Sequence, residues 1–245
     1  MITRYDMTLP AVPAHTLSPD SAYRLYAYLL EQLPPEEAQR LHEAGNRGIS
    51  QCLQYQKAAG AYQWTVNVLA DALAEILCPV LRKLEQVCIE QQTFSVLRKE
   101  SRQMTLEALL SHGIPANRTT LCFCTPTAFK QSGRYTIFPQ ERLILQSLLS
   151  RWNETFPSCP LEDPDAFDAL LAGIHIVDYR LRTTRFPLKG VRIPGFIGSC
   201  VIEAKLAPPL LELWNALLCF SDYAGIGIKT GIGMGGVQTI FHTDA

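Results

Sequence analysis

Charge is scarce in this chain. Only 18% of its 245 residues are Asp, Glu, Lys or Arg, and the two signs nearly cancel to a formal −1. Overall charge therefore gives no sign of a polyanionic partner. No apolar run reaches the roughly eighteen residues that a membrane-spanning helix needs. The opening MITRYDMTLPAVPAH lacks a basic region followed by an apolar one, so no secretory signal is expected and the expected location is cytoplasmic. None of the eight cysteines, at 52, 78, 88, 122, 124, 159, 200 and 219, forms a C-x-x-C pair. They are expected to be reduced, mostly buried thiols, with no metal site. Cys122 and Cys124 alternate within an apolar stretch, which suits one face of a strand.

What the chain does have is apolar residues, 47% of the total, enough to bury a real core. RYDMTLPAV reads as a strand and SAYRLYAYLLEQL as a helix broken by Pro34 and Pro35. PEEAQRLHEAG is a second, short helix ended by Gly45. AYQWTVNVL alternates like a strand, ADALAEILCPVLRKL is a helix ending or kinking at Pro79, and CIEQQTFSVLRKE is strand-like. ISQCLQYQ leaves room for one more strand. This approximates a split βαβ, or ferredoxin-like, arrangement. A junction is expected near Pro115. After it come the strand TTLCFCTPTAF, then GRYTIF, and a helix PQERLILQSLLSRWN with proline in its first turn. DPDAFDALLAG is a short helix, followed by the strands IHIVDYRLRTTRF and GVRIPGFIGSCVIEA, the helix PPLLELWNALLCFSDYAG and a last strand VQTIF. The expected fold class is α+β, with similar domains over 1–115 and 116–245.

Two local features stand out. The stretch YRLRTTRFPLKGVR carries Arg180, Arg182, Arg185, Lys189 and Arg192 and no acid, and the next acid is Glu203. A basic stripe on a neutral protein suits a local phosphate groove, and it equally suits a solvated strand face. Arg180 and Arg182 are two apart and would share one face of a strand. The second feature is GIGIKTGIGMGG, residues 225–236, which holds six of the fifteen glycines. Gly231, Gly233 and Gly236 match G-x-G-x-x-G, but a helix precedes them, a strand follows, and nine residues remain, which excludes a dinucleotide fingerprint. The P-loop pattern is absent as well. Two readings remain: successive N–H groups cradling phosphate oxygens, or a bare backbone packed against the neighbouring domain.

At this point FSDYAGIGIKTGIGMGGV resembles the C-terminal glycine-rich signature of the CRISPR-associated repeat endoribonucleases, the sixth Cas protein of the repeat-associated mysterious protein (RAMP) superfamily. CFCTPTAFKQSGRYTIFP with LILQSLLSRWN, IPGFIGSCVIEA and RLHEAG resemble further segments of that family, in the same order. The resemblance implies two tandem ferredoxin-like (RRM-like) domains with RNA between them. It implies metal-independent, cofactor-free cutting of CRISPR repeat RNA in a precursor transcript to give guide crRNA. There the 2′-OH attacks the adjacent phosphate, leaving a 2′,3′-cyclic phosphate and a 5′-OH, so DNA is no substrate. Such a reaction needs a base, an acid and positive charge on the phosphorane.

The resemblance singles out His42, in RLHEAG, as the proton carrier; by position alone it could be a surface imidazole at a helix C-terminus. His15, His112, His175 and His242 read as structural. The family's helical tyrosine falls between Tyr26 and Tyr28, with Tyr23 also on that helix; Tyr28 is the choice made here, and a core role suits each. Arg47 is the basic candidate, where the family more often has lysine. RNA contacts are expected from Arg180, Arg182, Arg185, Lys189 and Arg192, and from Gly225, Gly227, Lys229, Gly231, Gly233, Gly235 and Gly236. The expected partners are the repeat RNA and crRNA, with other Cas proteins of an effector complex as further ones, and the protein is expected to be a monomer or homodimer. A non-catalytic RNA-binding RAMP subunit is the competing reading.

Overall fold

The computed structural model describes residues 1–12, 16–43, 48–111 and 116–242, with the side chains of residues 42 and 43 outside the description. Strand β1 (Ile2–Pro10) alternates strictly: Tyr5, Met7 and Leu9 face a core, and Arg4, Asp6 and Thr8 face the other way. Helix α1 (Ser21–Glu31) buries Ala22, Leu25, Tyr26 and Leu29, the i, i+3, i+4, i+7 stripe of an amphipathic helix. Helix α2 (Pro35–Glu43) follows after three residues and is held by buried Leu41. Strands β2 (Ile49–Gln56) and β3 (Ala61–Val68) form a hairpin, and helix α3 (Asp71–Lys83) returns across the sheet.

Two expectations in this half need correction. Helix α3 runs through Pro79 to Lys83, so of an end or a kink at that proline the end is ruled out; the proline sits on its exposed side, where an unmatched carbonyl can meet water, while Leu77, Cys78 and Leu81 stay buried. The stretch expected as one strand is a hairpin, β4 (Gln86–Ile89) and β5 (Gln92–Ser95), followed by β6 (Arg98–Met104). Its turn places Glu90 and Gln91 at φ of 49° and 68°, positions usually signalled by Gly or Asn, which this sequence does not supply. The sheet order is β2-β3-β1-β6, all antiparallel. This is the ferredoxin-like order, with the β4–β5 hairpin inserted before the last strand.

After the short helix α4 (Leu106–Leu110), the second half repeats the plan. The expected junction at Pro115 lies outside the described residues. Strand β7 (Arg118–Thr127) leads to a small hairpin, β8 (Phe129–Gln131) and β9 (Arg134–Thr136), then helices α5 (Glu141–Thr155) and α6 (Pro164–Gly173). Pro139 precedes the cap residue Gln140 of α5 instead of lying in its first turn. The long hairpin β10 (Ile174–Leu188) and β11 (Val191–Ala204) turns at Lys189 and Gly190, both with positive φ, and helix α7 (Pro208–Ala224) and strand β12 (Val237–His242) complete the unit. The order β10-β11-β7-β12 is again ferredoxin-like, so the chain is two such folds in tandem.

The two cores interpenetrate. Ala128, Phe186, Ile193, Ile232 and Met234 of the second half complete the core of the first. Ile2, Leu69 and Leu109 of the first half pack into the core of the second.

The glycine loop lies between them. A Cβ on Gly233 (φ 107°) would stand 2.5 Å from the Ala22 Cβ and 3.0 Å from the Pro19 carbonyl oxygen, both at the start of α1. Gly190 also has positive φ, at 80°, but open space around it. Gly233→Ala should therefore lose roughly 3 kcal/mol of stability, from left-handed backbone plus overpacking, and Gly190→Ala only about 1 kcal/mol. Urea unfolding of the two variants checks the contrast.

Candidate active site and nucleic-acid interface

The helix-free faces of the two sheets meet at a cleft of about 400 Å³. On the first sheet, Asp6 ties the cleft wall together. It accepts from Arg4 Nε at 2.9 Å, Arg102 Nη2 at 3.2 Å and Thr65 Oγ1 at 2.7 Å. Arg4 also donates to the Asp222 backbone carbonyl at 3.3 Å and lies 5.9 Å from the Tyr223 ring centre, so it reaches across to α7.

The glycine loop closes one end of the cleft, and most of its N–H groups are engaged within the protein. Ile226 donates to the Gly235 carbonyl, Gly227 to Ser147 Oγ, Ile228 to Ala128, Gly235 to Pro126 and Gly236 to Thr125 Oγ1, at 2.8–3.0 Å. Gly225, Gly231, Gly233 and Gly235 are buried, while Gly227 and Gly236 are half-buried. Of the two roles open to the loop, this geometry is that of a backbone packed against its neighbours. Lys229, in left-handed conformation (φ 57°), is exposed at the loop's surface and shares a groove with Lys130, Ser147 and Ser150.

Two polar side chains fasten the loop to the first half. Gln51 donates from Nε2 to the Gly231 carbonyl at 2.9 Å and accepts from the buried Trp64 indole at 2.8 Å. Arg151 of α5 donates from Nε to the Ala224 carbonyl at 3.0 Å, and from Nη2 to the Ile49 carbonyl at 3.3 Å and to Thr230 Oγ1. Burial pulls the Arg151 guanidinium down to about 10. Neither residue is among the sequence candidates, although both left a trace. Arg151 is a lone charge in the apolar run of α5, and Gln51 occupies a core-facing position between Ile49 and Leu53.

The sequence candidates are distributed as follows. His42 is the next-to-last residue of α2; its imidazole lies outside the described residues, as does all of Arg47. The chain re-enters description at Gly48, whose Cβ would stand 3.0 Å from the Ala70 Cβ, and continues into Ile49, the residue Arg151 holds. Tyr28 is half-buried and lines a surface groove with Gln32, Lys83 and Glu85, on the α3 side of α1. Tyr26 is buried with its hydroxyl unmatched among the described residues, and burial pushes it up to about 12. Tyr23 faces the β10–β11 turn, with Lys189 Nζ 5.6 Å from its ring centre.

Arg180, Arg182, Arg185, Lys189 and Arg192 are all exposed on that hairpin, whose strand β10 is the sheet edge. Arg180 and Arg182 share one face, the one that buries Phe186; Arg185 lies on the other, with Tyr179 and Leu181. Among the cysteines, Cys78, Cys200 and Cys219 are buried, Cys52, Cys122, Cys124 and Cys159 half-buried, and Cys88 exposed. No described helix is long and apolar enough to cross a membrane.

Asp222 is the unexpected titratable group of the cleft. Burial pushes its carboxyl up to about 6, against opposing hydrogen bonds from Thr239, whose N–H donates at 2.7 Å, and the charges of Arg4 and Arg102. A raised carboxyl stabilises the fold fully below its unfolded value near 4, and that stability is lost as pH rises through about 6. Asp222→Asn keeps an acceptor for Thr239 without the charge. It should be more stable than wild type at pH 8, by about 2 kcal/mol, with the difference closing by pH 4. Thermal melts across that range read the result.

A family model described as CRISPR-associated endoribonuclease Cas6 matches residues 121–237. The Streptococcus thermophilus CRISPR-associated endoribonuclease Cas6 is 31% identical over 224 residues, covering 89% of this chain and 91% of that protein. The Mycobacterium tuberculosis Cas6 is 28% identical, covering 95% and 74%. Among solved structures, a Cas6 product complex matches with TM-score 0.81 and 26% identity over 98% of this chain and all of the other. Thermus thermophilus Cas6 matches with TM-score 0.79 and 25% identity, covering 98% of each. From the glycine loop to the paired ferredoxin-like sheets, the chain belongs to the Cas6 family of CRISPR-associated endoribonucleases.

Proposed function

We propose that this endoribonuclease cuts CRISPR repeat RNA in the cytoplasm without a metal, by internal attack of a 2′-OH. A base removes the 2′-OH proton, and the alkoxide forms a bond to the adjacent phosphorus. The bond to the 5′-oxygen breaks, and an acid protonates the departing oxygen. The products are a 2′,3′-cyclic phosphate and a 5′-OH. His42 carries the proton, Arg47 stabilises charge on the phosphorane and Tyr28 assists from α1. Arg180, Arg182, Arg185, Lys189 and Arg192 bind phosphates along the hairpin. The bare backbone of residues 225–236 braces the end of the cleft, and Lys229, exposed at the loop's surface, contacts the RNA backbone.

One observation carries this reading. After His42 the described chain resumes at Gly48 and Ile49, and the Ile49 carbonyl is bound by the same Arg151 that holds Ala224 and Thr230. The histidine thus sits seven residues in sequence from a fixed junction with the glycine loop. The exposed basic hairpin supplies an electrostatic guide on a molecule whose net charge is only −1.

The test is cleavage of the host repeat RNA in EDTA, beside copies carrying a single 2′-deoxy nucleotide at each position in turn. Cleavage should persist in EDTA and be blocked by one substitution only. His42→Ala should slow it at least about 100-fold while leaving RNA binding intact. Undiminished cleavage by His42→Ala would remove His42 from the mechanism, and tight binding by the wild type without cleavage would make the chain an inert RNA-binding subunit.

A further inference from the structure

The start of β10 exposes a cluster of apolar and aromatic side chains that the cleft and the glycine loop do not use. Tyr179 is 55% exposed, Val177 45%, Phe138 44% and Ile137 36%. The Phe138 and Tyr179 rings meet edge to face, with centres 5.3 Å apart, so the cluster is one surface feature. A bulge between Ile176 and Asp178 interrupts the ladder beside it. Exposed apolar groups gathered in this way mark a contact surface.

The surrounding charge says what that surface contacts. From Tyr179 onward the edge strand carries Arg180, Arg182 and Arg185, all exposed, and Arg134 is exposed on β9, shortly before Ile137 and Phe138 in the chain. Asp178 is the nearby exposed acid. A second copy of this chain, added edge to edge, would set one arginine strand against another, and the bulge would break the new ladder. A polyanion with flat apolar groups suffers neither penalty. Single-stranded RNA is such a ligand: its phosphates match the arginines and its bases stack on aromatic rings.

We propose that Phe138 and Tyr179 form a stacking step for unpaired nucleotides of the repeat RNA, beside the arginines that hold its backbone. This rests on the RNA-cleaving reading above. Tyr179 and Arg185 share one face of β10, and Arg180 and Arg182 the other, so a strand of RNA following this edge meets rings and guanidinium groups along the same rim.

The experiment is fluorescence anisotropy with two labelled RNAs: the repeat with its unpaired flanks, made uncleavable by a 2′-deoxy at the scissile position, and its hairpin alone. If the repeat forms no hairpin, a fully paired duplex of equal length replaces the second probe. Tyr179→Ala should weaken binding of the flanked RNA about tenfold, and leave the paired RNA and the salt dependence unchanged. Tyr179→Phe, which keeps the ring, should bind as wild type. Light scattering with Phe138→Ala/Tyr179→Ala reports on self-association, and far-UV circular dichroism on folding. Wild-type binding of both RNAs by the double variant would overturn the stacking step while leaving the cleavage reading intact. So would a loss of self-association with RNA binding unchanged, which would identify the cluster as a contact between copies.

Discussion

Two open sheets can enclose a polar cleft only if apolar packing fixes them at one end, and here that fixture is a backbone approach too close for side chains. At Gly236 a Cβ would stand 2.8 Å from the Cys52 Cβ, and at Gly227 2.4 Å from the Ala128 carbonyl oxygen. At Gly235 it would stand 2.2 Å from the carbonyl oxygen of Ile226. Positive φ at Gly225, Gly227, Gly233 and Gly235 folds the loop back on itself. Ile226, Ile232 and Met234, set between the glycines, point into the two cores. Glycine and large apolar residues thus alternate for one reason: the bare positions let the loop approach, and the others fill the space it reaches.

The packing alone would leave the loop free to slide, because apolar contacts have little direction. Gln51 and Arg151 supply the direction, each donating to loop carbonyls or a loop hydroxyl from a fixed position in the surrounding structure. Arg151 is costly to bury, as the downward shift of its guanidinium indicates, and its hydrogen bonds go to carbonyls and a hydroxyl. A cation held in this way makes the junction between the halves depend on geometry as well as on burial.

Much of the fold was legible because each half is a split βαβ whose periodicity is undiluted: the alternation of β1, the stripe of α1 and the long runs of β10 and β11. The misreadings share a cause. The β4–β5 turn uses glutamate and glutamine where glycine is the usual sign, and α3 tolerates Pro79 because that side faces water. The basic hairpin was legible since charge is scarce elsewhere. The part of the glycine loop in joining the halves was not, because a run of glycines serves anion binding and close packing alike, and only the partners of its N–H groups distinguish them. Asp222 gave no signal at all: its environment is assembled from α7, β12 and the first sheet, elements distant in sequence.

Ferredoxin-like sheets that bind single-stranded RNA often stack bases on rings of the open sheet face. The first sheet here cannot do so at its centre, where Arg4, Asp6, Thr8, Gln63, Thr65 and Asn67 occupy the open positions of β1 and β3. Arg4, Asp6 and Thr65 bond to one another, Gln63 and Asn67 line the cleft, and none of the six presents a ring. On the second sheet the face that carries Arg180 and Arg182 turns Phe186 into the apolar junction, where it is fully buried. The rings left accessible beside β10 are at its outer start, Phe138 and Tyr179, opposite in the strand to the turn that touches α1. Contact with bases is thereby moved from the sheet faces to the rim, and the cleft is left to polar groups that can position a phosphate and a hydroxyl. Separating the two tasks in space has a physical consequence. Side chains on the rim can change without disturbing the buried loop that closes the cleft.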